Sequence, residues 1–140
     1  MNGIMALDVG SKRIGVAIAD PTQTYAFPLL TIERASLRED LDRIAECVAE
    51  HRVAEMVVGD PLTLAGERGI AAERIDAFVA ALRHVFTGEI RRVDERLSTA
   101  QANKTMIGAD ASRARRRRSV DMMAAALILE TYLARRRQGR

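Results

Sequence analysis

The stretch MALDVGSKRIGVAIAD, which spans residues 5–20, decides the fold of this chain. Its first part continues an apolar run that ends at Val9, and its second part alternates larger apolar residues with Gly15 and Ala17. Alternation with a period of two is typical of strands, and the glycine and serine between the two runs favour a turn. A third apolar run, over residues 29–33, follows a proline. The sequence therefore predicts a meander of three antiparallel strands.

Helices and strands alternate after this meander. Apolar residues at helical spacing and capping signals predict helices over residues 37–51, 75–86, 98–107 and 120–136. Short apolar segments predict two more strands, over residues 55–58 and 90–94. Such alternation requires parallel strands with right-handed crossovers. The predicted fold class is therefore α/β, with a five-stranded mixed sheet that is flanked by helices and whose first three strands are antiparallel.

Length and charge narrow the class of protein. The 140 residues predict a single domain over 1–140. No apolar run approaches the roughly 20 residues that span a bilayer, and no secretory signal begins the chain, so we expect a cytoplasmic protein with no membrane partner. The net charge is only +3, but residues 111–140 contain nine arginines and two acids. Positive charge is therefore concentrated at one end.

Three carboxylates stand at positions where chemistry is expected. Asp8 interrupts an apolar strand, Glu95 follows the fifth strand, and Asp121 opens the last helix. Each has a structural alternative: Asp8 bound by an arginine or by backbone amides, Glu95 in a simple ion pair, and Asp121 as an acid favourable to the helix dipole. If the three converge, their repulsion favours a divalent cation such as Mg²⁺. Two such ions would activate a water and stabilise the leaving oxygen in phosphodiester cleavage.

Four motifs give the chain a family resemblance. They are MALDVGSKRIGVAIAD (5–20), VVGDPLTLAGERG (57–69), VDERLSTAQA (93–102) and VDMMAAALILETYL (120–133). In this order they resemble the YqgF (RuvX) family of RNase H-like proteins. The resemblance implies an RNase H-like fold and a Holliday junction resolvase or a nuclease that matures the precursor of 16S ribosomal RNA. It also implies that Asp8, Glu95 and Asp121 are the catalytic, metal-binding acids.

Further positions bear on nucleic-acid binding. Lys12 and Arg13 match the family's first motif, whereas Asp60 departs from the second, where an apolar residue is usual, and is either a loop cap or an additional metal-binding acid. Residues 109–119 have no apolar stripe, so we expect a mobile basic loop there. Its arginines are expected to bind phosphates, or else they belong to a solvated loop. They are Arg113, Arg115, Arg116, Arg117 and Arg118.

The leading hypothesis is an endonuclease or exonuclease that uses Mg²⁺ or Mn²⁺ to hydrolyse structured RNA or branched DNA. A resolvase would be a homodimer, because it must cut two strands of a nearly two-fold junction, whereas trimming of an RNA end needs only a monomer. Two alternatives stay open. One is an ATP-binding domain of the actin and sugar-kinase type, suggested by Asp8, Gly10 and Gly15. The other is a nucleic-acid-binding module without catalytic activity.

Overall fold

A mixed five-stranded sheet forms the centre of the protein. The computed structural model describes residues 3–60, 69–94 and 113–139, without the side chains of residues 113–118. The described elements are β1 Gly3–Val9, β2 Arg13–Ala19, β3 Ala26–Glu33, α1 Leu37–His51, β4 Val53–Asp60, α2 Ile70–Leu82, β5 Glu89–Asp94 and α3 Arg113–Arg137. The sheet order is β3-β2-β1-β4-β5; β1, β2 and β3 pair antiparallel, and β1, β4 and β5 pair parallel. The predicted fold class is confirmed.

Each strand divides its side chains between two cores, because successive residues point to opposite faces of a sheet. Met5, Leu7 and Val9 of β1 belong to the core on the side of α1 and α2. Ile4 and Ala6 belong to the second core, which α3 closes by packing across β2, β3 and β1. Asp8 continues the alternation of Ile4 and Ala6, so its position lies on the α3 face of the sheet.

Local signals account for the start of α1 and for the extent of β3. The Ser36 hydroxyl accepts a hydrogen bond from the Glu39 backbone N–H at 3.1 Å, as the predicted capping box requires. β3 begins at residue 26, three residues before its predicted start, and contains Pro28. An edge strand tolerates a proline because one side of its backbone has no ladder to complete. The register with β2 is irregular between Val16 and Ala17, next to this proline.

The last helix corrects one prediction. We expected residues 109–119 to be a mobile basic loop. Residues 109–112 lie outside the described residues, but residues 113–119 belong to α3, which runs from Arg113 to Arg137 without interruption. Arginine and alanine are strong helix formers, and a helix that packing has already fixed extends at little cost. An apolar stripe is therefore not needed for its first turns. The predicted helix over residues 98–107 lies outside the described residues. Within the described ranges, no helix is long and apolar enough to cross a membrane.

Gly15 of β2 allows α3 to approach the sheet closely. A Cβ atom built on Gly15 would overlap the backbone carbonyl oxygen of Asp121 and would lie 3.1 Å from the backbone N of Met122. Neither obstacle is a side chain that could rotate away. The absence of a side chain at residue 15 therefore sets the distance between α3 and β2.

We predict that Gly15→Ala destabilises the protein by about 3 kcal/mol or more, because the added methyl group must displace the helix backbone. Urea denaturation measures the change. Ala54→Val is the control, because it enlarges an exposed side chain on β4 and valine is favoured in strands. Equal stability of the Gly15→Ala variant and the parent chain would contradict the close approach.

Candidate functional site

Two of the three predicted catalytic acids lie around Gly15. Asp8 is the cross-strand partner of Gly15 in the β1–β2 pair, so their Cα atoms are about 4.5–5.5 Å apart. The backbone of Asp121 lies directly above Gly15. The structure therefore brings the backbones of Asp8 and Asp121, which are 113 positions apart in sequence, beside the same residue, Gly15. Both residues are half-buried.

Arg13 forms the main described contact of Asp121. Its Nε donates a hydrogen bond to Asp121 Oδ2 at 2.8 Å, and each side chain keeps 23% of its surface exposed. Arg13 lies two residues before Gly15 on the same strand and therefore on the same face. We expected Arg13 to contact nucleic acid, and the structure places its guanidinium against a predicted catalytic acid.

The surroundings of Asp121 oppose its ionisation. Burial raises the pKa of the Asp121 carboxyl, the hydrogen bond and the charge of Arg13 lower it, and the negative charge of Glu33 raises it; the net direction is upward. Glu33 is the cross-strand partner of Arg13 in β3. Glu33 carries no signal in the sequence, because no local pattern reveals which strand pairs with Arg13.

The third predicted acid, Glu95, lies outside the described residues. It follows β5, which ends at Asp94 beside Asp60 in the parallel pair with β4. Among the described residues, no group of three or more histidines, cysteines or acids is placed to hold a metal ion. Two of the three predicted ligands, Asp8 and Asp121, are described. Their carboxylate oxygens are the ligands that Mg²⁺ prefers, and a cation would offset the unfavourable burial of Asp121.

The other predicted site residues occupy three different positions. Lys12 is exposed in the turn between β1 and β2. Residues 113–118, which hold the five arginines, form the first turns of α3, and their side chains are not described. Asp60 accepts a hydrogen bond from Arg92 at 2.9 Å on the α2 side of the sheet, which is the face opposite Asp8. That position does not favour Asp60 as an additional metal-binding acid.

One functional position could have been recognised from the sequence. A glycine inside a strand is a known signal for close approach of another backbone or a ligand. Gly15 gives this signal, but the sequence alone does not say that α3 is the approaching element. The contact joins residues more than 100 positions apart.

The family comparison gives a match over almost the whole chain. The sequence model of the RuvX family, described as "Holliday junction resolvase", matches residues 2–135. The "Putative pre-16S rRNA nuclease" of Desulforudis audaxviator is 42% identical over 137 residues, which cover 98% of this chain and 97% of that protein. The protein of the same name from Thermoanaerobacter pseudethanolicus is 43% identical over 131 residues, which cover 93% and 94%.

Solved structures share the fold at low sequence identity. RuvC of T. thermophilus in complex with a Holliday junction superimposes with a TM-score of 0.60 at 13% identity and covers 96% of both chains. The fowlpox virus resolvase in complex with junction DNA gives a TM-score of 0.54 at 11% identity and covers 95% of this chain and 97% of its own. The RNase H-like fold implied by the sequence motifs is therefore confirmed.

We predict that Asp121→Asn raises the melting temperature at pH 7. Because the pKa of Asp121 is raised in the folded chain, its carboxylate form is less stable there than in the unfolded chain, and the neutral amide removes that cost. The gain should shrink as the pH falls through the folded pKa and vanish below the ordinary aspartate pKa, where both states are protonated.

Thermal denaturation from about pH 3 to about pH 8 measures this gain in melting temperature, because that interval covers the usual range of aspartate pKa values. Glu130→Gln is the matched control, because Glu130 is an exposed acid on the same helix. A lower melting temperature of Asp121→Asn at pH 7 would show instead that the ion pair with Arg13 outweighs the cost of burial.

Proposed function

The chain belongs to the RuvX family of nucleases, and from this premise we propose that it is a metal-dependent nuclease that hydrolyses phosphodiester bonds in the precursor of 16S ribosomal RNA. The observation that carries the proposal is the meeting of Asp8 and Asp121 around Gly15 on one face of the sheet. Both acids stand in motifs that the family resemblance implicates in catalysis. The curated relatives at 42–43% identity support RNA as the substrate.

Asp8, Glu95 and Asp121 would hold Mg²⁺ or Mn²⁺ in this proposal, over a single nuclease domain of residues 1–140. A bound ion would supply the activation of a water and the stabilisation of the leaving oxygen of the phosphodiester. The chain's own task is to hold its carboxylates in place. Asp8 is fixed by the central strand β1, and Asp121 is fixed by the contact of α3 with Gly15 and by the 2.8 Å hydrogen bond from Arg13.

Arg13 limits the repulsion that a phosphate would meet at this site. The two acids alone would repel the negatively charged backbone of RNA. The guanidinium beside Asp121 brings one positive charge to the same face, and arginine's planar donors also suit phosphate oxygens. Arg13 thus both orients Asp121 and makes the site less repulsive to the substrate.

The first turns of α3 would bind the backbone of the substrate. Arg113 and the run from Arg115 to Arg118 stand at the N-terminal end of α3, where the helix dipole disfavours positive charge. The positive charges therefore destabilise this end of the helix, and a bound phosphate would offset that destabilisation. Arg118 precedes Asp121 by about one turn of helix. Phosphates held there, together with Lys12 in the β1–β2 turn, would surround the two acids.

We predict that Asp8→Asn lowers the cleavage rate at least about 100-fold, because a neutral amide is a weak ligand for a divalent cation. Affinity for uncleaved RNA in EDTA should not fall, since phosphate contacts do not involve Asp8 and the substitution removes one repelling charge. The assay follows radiolabelled precursor RNA and a four-way DNA junction with purified protein and Mg²⁺.

Asp42→Asn, an exposed acid on α1, is the control and should cleave at the parent rate. Cleavage of the junction but not of the RNA would assign the chain as a resolvase, and sedimentation should then show a homodimer. Normal RNA cleavage by Asp8→Asn would refute the proposed mechanism.

We predict that the double variant Arg115→Gln with Arg117→Gln weakens RNA binding and reduces its dependence on salt. Each lost phosphate contact lowers the slope of log affinity against log salt by about 0.7 on single strands. Binding titrations at several KCl concentrations measure the slope. The variant Arg135→Gln with Arg137→Gln removes the same charge from the other end of α3 and should keep the parent slope. Equal slopes for the two variants would contradict phosphate binding at the start of α3.

A further inference from the structure

A cavity lies on the face of the sheet opposite Asp8 and Asp121. It has a volume of about 550 Å³, within the range of sites for small molecules. The end of β1, the turn that follows it, and helices α1 and α2 surround it. Its walls include the apolar side chains of Val9, Leu37, Ile75 and Phe78, and Arg74 of α2 also lines it. Val9 is the neighbour of Asp8, so the cavity and the carboxylates lie at the same end of β1.

Arg34 provides a rigid, flat cation in this cavity. Its Nε donates to Asp40 Oδ2 at 3.0 Å, and its Nη1 donates to the Gly10 carbonyl oxygen at 2.9 Å. Its guanidinium carbon lies 5.4 Å from the centre of the Phe78 ring. Asp40 is itself buried and accepts a further hydrogen bond from the Ala35 backbone N–H at 2.9 Å. The guanidinium is therefore held in one orientation.

The lining selects a flat ligand that also has an anionic part. Apolar walls disfavour a free phosphate or a metal ion, which would lose hydration without compensation. Phe78 is buried and lies behind the guanidinium of Arg34, and the remaining surface of that guanidinium is a plane of the kind on which nucleobases stack. Arg74 is exposed, so its charge is available to a group that stays in solvent at the rim. A nucleotide combines these properties, with an apolar ring and a phosphate attached.

The β1–β2 turn connects the cavity to the candidate active site. Gly10 and Ser11 line the cavity, and Lys12 is the next residue of the same turn. A strand whose phosphate lay at Asp8 would reach the mouth of the cavity by crossing this turn. We propose that the cavity receives an unpaired nucleobase of the strand that is cut. This inference rests on the proposed nuclease function and adds a requirement for an unpaired nucleotide beside the cleaved bond.

Ala71→Phe tests the proposal by filling the cavity from the exposed surface of α2. Ala71 lines the cavity and is exposed, so the substitution does not disturb the core. Ala80→Phe is the matched control: Ala80 is also exposed on α2, and nine residues at 3.6 per turn place it about 180° away. Thermal denaturation of both variants checks that they fold.

The probe is a fluorescein-labelled single-stranded RNA that carries the precursor sequence, and its binding is measured by anisotropy in EDTA so that no cleavage occurs. One abasic nucleotide is moved along the RNA. For the parent protein and Ala80→Phe, we expect one position at which the abasic nucleotide weakens binding about tenfold. For Ala71→Phe, we expect the intact RNA to bind about tenfold more weakly and the abasic position to make no further difference.

Binding that responds equally to every abasic position, or an abasic effect that Ala71→Phe leaves unchanged, would overturn the proposal. The result is independent of the test of the proposed function, because binding in EDTA requires no catalysis. Base-dependent binding without cleavage in Mg²⁺ would refute the nuclease and keep the cavity as a nucleobase site. Cleavage that depends on Asp8, combined with binding that does not depend on any base, would keep the nuclease and refute the cavity as a nucleobase site.

Discussion

The contact between the backbone of α3 and Gly15 is the constraint on which the candidate site depends. Only a residue without a side chain lets the Asp121 carbonyl approach β2 so closely. That approach fixes where α3 crosses the sheet and hence where the Asp121 side chain begins. Asp8 reaches the same point through its pairing with Gly15. A single glycine therefore determines the separation of two acids that come from opposite ends of the chain.

The same contact creates an electrostatic cost that the fold only partly offsets. Packing α3 against β2 buries the Asp121 carboxylate and raises its pKa, and Arg13 lowers the pKa without restoring it. A core built for stability would place a neutral side chain at this point. Charged groups held under such conditions are typical of functional sites, where stability is given up for reactivity. The half-buried state of both acids is therefore itself an argument for function.

The periodicity of apolar residues predicts most helices and strands, whereas the features it does not predict depend on contacts between distant parts of the chain. The alternating runs around residues 4–18 gave the meander, because a half-buried strand needs that pattern. The predicted start of β3 lies after Pro28, because a proline usually interrupts a strand. The structure includes Pro28 because β3 is an edge strand, and edge position is a property of the whole sheet that no local pattern reveals. The charge pattern of residues 109–119 lacks an apolar stripe and so predicts a loop, whereas residues 113–119, whose helix propensity is high, begin α3. Similarly, the cavity joins Arg34 to Phe78, and no local pattern connects them.

The two faces of β1 give the proposed substrate a particular shape. Asp8 and Val9 are consecutive, so they point to opposite faces, Asp8 toward α3 and Val9 into the cavity. A nucleic-acid strand that places a phosphate on one face and a base on the other must pass around the end of β1 and β2 at residues 10–12. Paired bases stack inside a duplex and are not available for that turn, whereas an unpaired nucleotide can be splayed out. The preference for a single-stranded segment of nucleic acid therefore follows from the alternation of side chains along β1.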